Sequence, residues 1–243
     1  PKPNRLPSSN LKVADALRLF SSSAGEKQVI QLIRPFTAFS AKAYSTAATL
    51  PIGVAYLAGM LEKAGYATSI IDGLGEDIMN VRLSPDGEFM YQGLSVEAIV
   101  SRIDSSAKVI GVSMMFSQNW LQYRDIVQAI RAAYPQIIIV GGGEHATALP
   151  EFSLRDCPEI DFLITGESEL SLLEFVHRIY QDLSVDDLAG LSFLDSTDKY
   201  VSNGLGRRIL DAKSLPWPAW HLCPVESYFT GMWSMGIGYG RNM

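Results

Sequence analysis

Four short segments carry most of the residues that could bind or react, and they are Arg34-Pro35-Phe36 onward to Leu50, Ser113-Met114-Met115-Phe116-Ser117-Gln118, Gly141-Gly142-Gly143-Glu144-His145-Ala146-Thr147 and Thr165-Gly166-Glu167-Ser168-Glu169. Their chemistry is that of recognition. The first mixes Thr37, Ser40, Tyr44, Ser45, Thr46 and Thr49 with small residues, and the third exposes bare backbone at three successive glycines. Glycine removes side chains, so a broad or deeply inserted ligand can lie directly against the main chain. His145 reads as a hydrogen-bonding or helix-capping residue lining such a site, rather than as a metal ligand. Glu167 and Glu169 have two readings that stay open: contact with a ligand amide, or the ordinary preference of carboxylates for a helix N-terminus. Met114, Met115 and Phe116 are three bulky apolar residues in a row and cannot all point inward, so at least one should face outward. His177 reads as a surface or boundary residue, and His221 has no evident partner.

Several chemistries are excluded by what is missing. Cys157 and Cys223 stand far apart, outside any CxxC or Cys/His spacing, so neither a disulfide framework nor a zinc site is expected. No GxGxxG follows the first apolar run, and no glycine-rich loop ends in Lys and Ser or Thr, which removes dinucleotide and P-loop chemistry. A phosphoacceptor aspartate is replaced by Ser113. Flavin mononucleotide stays open, because hydroxyls and N–H groups of the first segment could cradle a phosphate; the triple glycine argues against it. A net charge of −6 with 20 Lys and Arg gives no broad cationic surface for nucleic acid. Neither a signal-peptide pattern nor an apolar run long enough to span a bilayer occurs, so a cytoplasmic location without membrane contact is the expectation.

These segments are positioned by a strand–helix alternation. Val29 to Ile33, Thr68 to Ile71, Val109 to Ser113, Ile137 to Val140 and Phe162 to Ile164 read as strands. Helices are expected from Pro51 to a left-handed cap at Gly65, from Ser95 to Ile103, from about Asn119 to Ala133, and after Gly166 through Leu170, Leu172, Leu173, Phe175, Val176 and Ile179. Five strands each followed by a helix imply an α/β fold with a doubly wound, five-stranded parallel sheet in flavodoxin-like (Rossmann-like) order. The four reactive segments are then strand-exit loops, where ligands of such sheets bind. A hairpin pairing Val81 and Leu83 with Phe89 and Tyr91 around Ser84-Pro85-Asp86-Gly87 interrupts the rhythm. The expected divisions are an N-terminal helical extension over 1–25, the sheet domain over 26–183, and a hairpin and linker over 184–243. In the last, Leu191 to Leu194 and Lys199 to Val201 form the hairpin, and Leu215-Pro216-Trp217-Pro218-Ala219-Trp220 is a linker or surface wrapper. Tyr228, Phe229, Trp233 and Tyr239 read as a peptide that docks on a neighbour. Pro1 at one end and Gly240 to Met243 at the other suggest a piece of a longer protein.

The ordered set PIGVAYLAGMLEKAGY, VIGVSMMFSQNW, IIIVGGGEHAT and DFLITGESE resembles the cobalamin-binding domain of radical S-adenosylmethionine enzymes, over about Gln28 to Tyr180. SLPWPAWHLCP resembles the segment that leads such proteins into their catalytic barrel. The resemblance implies that the corrin lies across the strand ends with its dimethylbenzimidazole tail threaded beside the sheet. By position, Ser113 and Gly141 to Gly143 line the tail channel together with Glu144 and His145, and Thr165, Gly166 and Glu167 form its far wall. Arg34, Pro35 and Phe36 with Met114, Met115, Phe116, Ser117 and Gln118 face the corrin. Two departures matter. Arg34 to Ala43 contains no DxHxxG, so cobalamin is expected base-off and without a His ligand. No CxxxCxxC is present, so the four-iron four-sulfur cluster and S-adenosylmethionine belong to a barrel of the same parent chain, whose cysteines are expected shortly after Met243. The implied parent activity is methyl transfer from methylcobalamin; a non-catalytic flavodoxin-like module for another cofactor is the alternative.

Overall fold

The computed structural model describes residues 11–22, 28–43 and 48–230. In chain order the elements are α1 (Val13–Leu19), β1 (Val29–Arg34), β2 (Thr37–Ser40), α2 (Ile52–Lys63), β3 (Ala67–Asp72), β4 (Val81–Leu83), β5 (Phe89–Gln92), α3 (Val96–Val100), β6 (Val109–Ser113), α4 (Trp120–Ala133), β7 (Ile138–Gly142), α5 (Glu144–Ala148), α6 (Pro150–Asp156), β8 (Phe162–Ile164), α7 (Glu169–Tyr180), β9 (Leu191–Leu194), β10 (Tyr200–Ser202) and α8 (Val225–Thr230).

The main sheet runs β3-β1-β6-β7-β8-β9-β10. Its first five members are parallel and in flavodoxin-like order, as the alternation predicts. The expected hairpin does not stand apart: β9 pairs antiparallel with β8 and β10 with β9, widening the sheet at that edge. Period-2 burial divides the strand residues between two cores. Ile30, Leu32 and Val140 pack with α1, α2 and α7, whereas Ile33, Ile110 and Ile139 pack under α4 and α6. Burying each such side chain stabilises the fold by ~1.5–3 kcal/mol, which makes the sheet a rigid base for its exit loops.

Local signals explain the boundaries. Pro51 precedes α2, and Gly65 takes φ 91° just after it, the left-handed cap expected there. Ser95 Oγ accepts from Ala98 N–H at 3.1 Å, capping α3, which ends at Val100 rather than Ile103. Pro150 sits at the first turn of α6 and divides the segment after β7 into two short helices.

The first strand exit departs from expectation. Thr37–Ser40 is not open loop; it pairs antiparallel with β5, which also pairs with β4, so the inserted hairpin becomes a separate three-stranded sheet. Tyr44, Ser45 and Thr46 lie outside the described residues. The Pro- and Trp-rich tail wraps the surface: Ala219 N–H donates to Ala55 O at 2.9 Å on α2, and a Cβ on Gly59 would sit 2.4 Å from Trp217 O. Tyr228, expected to dock on a neighbour, is instead buried on this domain, its hydroxyl donating to Asp72 Oδ2 at 2.6 Å. Trp233 and Tyr239 lie outside the described residues.

Candidate functional site

A cleft of about 430 Å³ opens at the strand exits between α2 and α7, over β1, β6, β7 and β8. Strand register builds its floor in two rows. Leu32, Gly111 and Val140 are in register in the deeper row, with Ser113 and Gly142 paired in the row nearer the exit. Val54 and Leu57 of α2 and Leu172 of α7 make the side walls, while Met115, Gly143, Glu144, Thr147, Gly166, Glu167, Ser168 and Glu169 surround the mouth.

The three glycines do three different things. Gly141 faces away from the cleft, where a Cβ would fall 2.6 Å from Leu163 Cδ2 and 2.9 Å from Met114 Sδ. Gly143 has φ 117° and sits against Met114 O, so it makes the turn out of β7. Gly142 faces the cleft: a Cβ there meets nothing nearer than Ser168 Oγ at 3.6 Å and Ile164 O at 3.7 Å. Its missing side chain is therefore empty wall. Gly141 and Gly142 also belong to β7, which runs two residues further than the apolar pattern predicts.

Of the residues singled out in the sequence, the cleft brings together Ser113, Met115, the backbone of Gly141, Gly142, Gly143, Glu144, Thr147, Gly166, Glu167, Ser168 and Glu169. The others lie elsewhere. Arg34 Nη1 bonds Asp72 Oδ1 at 3.3 Å and also the Tyr228 hydroxyl. Pro35 is buried, and Phe36 packs against Tyr91 at 5.3 Å beneath the Arg82 guanidinium. Met114 is fully buried, whereas Met115 and Phe116 are 48% and 57% exposed, so the run divides as its bulk requires. Ser117 and Gln118 are exposed beyond the mouth. The Thr165 hydroxyl is committed to Gly190 O and Gly204 O. Gly53, Val54, Leu57, Gly111 and Leu172 were not among the expected site residues, being read only as parts of their helices and strand; Gly111, two residues before Ser113 in an otherwise apolar strand, was the available signal.

His145 lies behind the wall. Its Nδ1 is 2.9 Å from Ser117 Oγ and its Nε2 3.1 Å from Ser153 Oγ, and the ring stacks on Trp120 at 4.7 Å. The Ser153 hydroxyl donates to Leu149 O, so its oxygen accepts from Nε2–H and Nδ1 accepts from Ser117. The imidazole staples the third exit loop to α6. Burial holds its pKa below the ordinary value of about 6.5. The unfolded chain then binds the extra proton, so this contribution is full above about pH 6.5 and is lost as pH falls through that value toward the lower folded one. Replacing His145 with Gln should cost ~1–3 kcal/mol at pH 7.5. The gap from wild type in urea denaturation should narrow at pH 5.5, while His177, also depressed by burial, acts in both proteins. A gap that widens on acidification would contradict a neutral His145.

The charged residues lining the cleft are Glu144, Glu167 and Glu169. Glu167 accepts from Ile209 N–H at 2.7 Å and pairs with Arg208 at 3.4 Å, which ties the mouth to the segment that follows β10. Among the described residues no cluster of His, Cys, Asp and Glu is arranged to hold a metal ion, and no helix is long and apolar enough to cross a membrane.

Residues 42–176 match the model of the B12 binding domain. The chain is 27% identical over 203 residues to the cytidylyl-2-hydroxyethylphosphonate methyltransferase of Streptomyces wedmorensis, covering 74% of this chain and 38% of that protein. It is 28% identical over 183 residues to the anaerobic magnesium-protoporphyrin IX monomethyl ester cyclase of Cereibacter sphaeroides, covering 73% and 27%. Its fold is similar to that of the cobalamin-dependent S-adenosylmethionine radical enzyme OxsB with aqua-cobalamin and S-adenosylmethionine bound, at TM-score 0.62 and 17% identity over 84% of this chain and 25% of that one. The radical S-adenosylmethionine methyltransferase TsrM of Kitasatospora setae with cobalamin and a [4Fe-4S] cluster bound is similar at TM-score 0.54 and 16% identity, over 79% and 31%. The chain thus spans well under half the length of these relatives. The family model covers more than half of the chain, in the region that builds all of the cleft but its β1 residues, and the chain belongs to the B12 binding domain family.

Proposed function

We propose that this chain is the cofactor domain of a radical S-adenosylmethionine enzyme that transfers a methyl group from methylcobalamin to an unactivated carbon or phosphorus centre. The observation that carries it is the empty wall at Gly142 beside Ser113, a cradle that a single Cβ would begin to fill. A volume of about 430 Å³ suits a nucleotide tail, leaving a corrin to lie across the exits against exposed Met115 and Phe116. Ser113, Gly142, Gly143, Gly166 and Ser168 would hold the tail, with Glu144, Glu167 and Glu169 accepting from amide N–H groups at the corrin periphery. Among the described lining residues the only charges are these carboxylates, Glu167 alone being paired, with Arg208 at 3.4 Å, which makes a poor seat for the dianionic phosphate of flavin mononucleotide. When bound, cobalamin supplies the transferable methyl group. S-adenosylmethionine and the four-iron four-sulfur cluster would be held by a barrel of the parent chain. Its presence here rests on the relatives.

A tail drawn into the cleft would leave cobalt base-off, and the partners of the chain's three histidines support the absence of a His ligand. His145 is held by Ser117 and Ser153, His177 lies beside Tyr66 and Phe20, and His221 pairs with Glu62. The purified chain mixed with hydroxocobalamin should retain colour through dialysis, and its cob(II)alamin form should give an electron paramagnetic resonance spectrum without axial nitrogen splitting. A colourless retentate removes the reading; a nitrogen splitting that vanishes in His145→Ala makes His145 the ligand.

A further inference from the structure

The two rows of the cleft floor differ in chemistry. Groups able to hydrogen-bond stand at the mouth: Ser113, Thr147, Ser168 and the carboxylates. One row deeper the surface is Leu32, Gly111 and Val140, flanked by Leu57 and Leu172. The backbone there offers nothing further, because the parallel ladders pair Leu32 with Gly111 and Gly111 with Val140 and consume their N–H and C=O groups. Whatever reaches the floor meets carbon on every side.

We propose that this floor makes the cleft a selector of the lower base, accepting a corrinoid whose base is a benzimidazole and disfavouring one whose base is a purine. The inference rests on the cleft holding the nucleotide tail. Adenine carries an exocyclic amine and additional ring nitrogens where dimethylbenzimidazole presents only C–H and methyl groups. Buried against Leu32, Val140, Leu57 and Leu172, those polar atoms surrender their water and gain no partner, and an unsatisfied buried group is strongly disfavoured. The methyl-substituted ring surrenders nothing comparable. At Gly111 the Leu32 side chain fills the space that a Cβ would take, its Cδ2 only 2.7 Å from that position, so the floor there is presented as hydrocarbon.

The test compares three probes on the full chain by equilibrium dialysis: hydroxocobalamin, its counterpart with adenine as the lower base, and cobinamide, which has no nucleotide. The adenine form is expected to bind at least tenfold more weakly than cobalamin, ~1.4 kcal/mol, and cobinamide also more weakly. Leu57→Gln, on the half-buried face of α2, supplies a donor and an acceptor at the floor and should narrow the gap between the two bases. Equal affinity for both bases, with cobinamide weaker, overturns selection while leaving the tail in the cleft. Equal affinity for all three, or no binding of any, overturns the placement of the tail itself and the selection with it. A gap unchanged in a folded Leu57→Gln protein shows that the floor does not read the base.

Discussion

Gly142→Leu should lose cobalamin, with affinity falling roughly 100-fold or more, ~2.7 kcal/mol, while the circular dichroism spectrum stays native. The fold admits the new side chain because its Cβ meets only Ser168 Oγ at 3.6 Å and Ile164 O at 3.7 Å, both ordinary contacts. Gly142 also lacks the positive φ that would strain any larger residue. Beyond the Cβ, the isobutyl group has nowhere to go but the cleft, beside Ser113 and Gly111. The neighbouring glycines make the contrast. Leucine at 141 would collide with Leu163 and Met114 inside the second core, and leucine at 143 would demand φ 117° against the Met114 carbonyl. Both should unfold or aggregate, so only position 142 separates binding from folding. Unchanged affinity in a folded Gly142→Leu protein would mean that no ligand lies in the cleft.

That separation was not legible in the sequence, although the triple glycine was. Apolar runs and turn residues are enough to place the parallel strands, because each run is local and the ends of α2 and α3 carry their own cap signals. Gly65 and Ser95 signal their caps locally, within a few residues of the backbone they serve. The roles of Gly141, Gly142 and Gly143 depend on register: Gly141 opposes Val112 and Leu163, whereas Gly142 opposes Ser113 and Ile164, and a shift of one residue would exchange their faces. Thr37–Ser40 becomes a strand only because Phe89–Gln92 arrives beside it, a tertiary event that four mixed residues do not announce. Met114, Met115 and Phe116 had to divide between core and exit, and the burial of Met114 in particular comes from Gly141 and Gly143 making room for it. Arg34 is the clearest case of distance. Its partners Asp72 and Tyr228 lie far along the chain and share no spacing with it.

Those partners predict the other large effect. Arg34→Met should destabilise the fold by ~3–5 kcal/mol in urea denaturation, as expected when one member of a buried ion pair is removed. The Asp72 carboxylate is fully buried and the Arg34 side chain is only 16% exposed, so solvent screens their pairing weakly. Methionine keeps the length and apolar bulk of the arginine stem and removes the charge. Asp72 would then retain the Tyr228 hydroxyl at 2.6 Å and Gly75 N–H at 3.0 Å, two donors without a net positive charge. Adding Asp72→Asn to Arg34→Met should restore part of the loss, because it discharges the orphan carboxylate, keeps Oδ1 as acceptor for Gly75 N–H and lets Nδ2 donate to the Tyr228 hydroxyl, which then accepts. Tyr228 fastens α8 to the exits of β1 and β3, with Ser227 Oγ donating to Gly75 O beside it, so Arg34→Met should also quicken proteolysis within residues 215–230. The same variant distinguishes two roles for Arg34. If it were instead a contact of the corrin face, stability would stay within ~1 kcal/mol of wild type, typical of a surface change, and cobalamin affinity alone would fall. The buried geometry around Asp72 requires the opposite order: stability and the tail respond first, and affinity follows only as far as the β1 exit loosens.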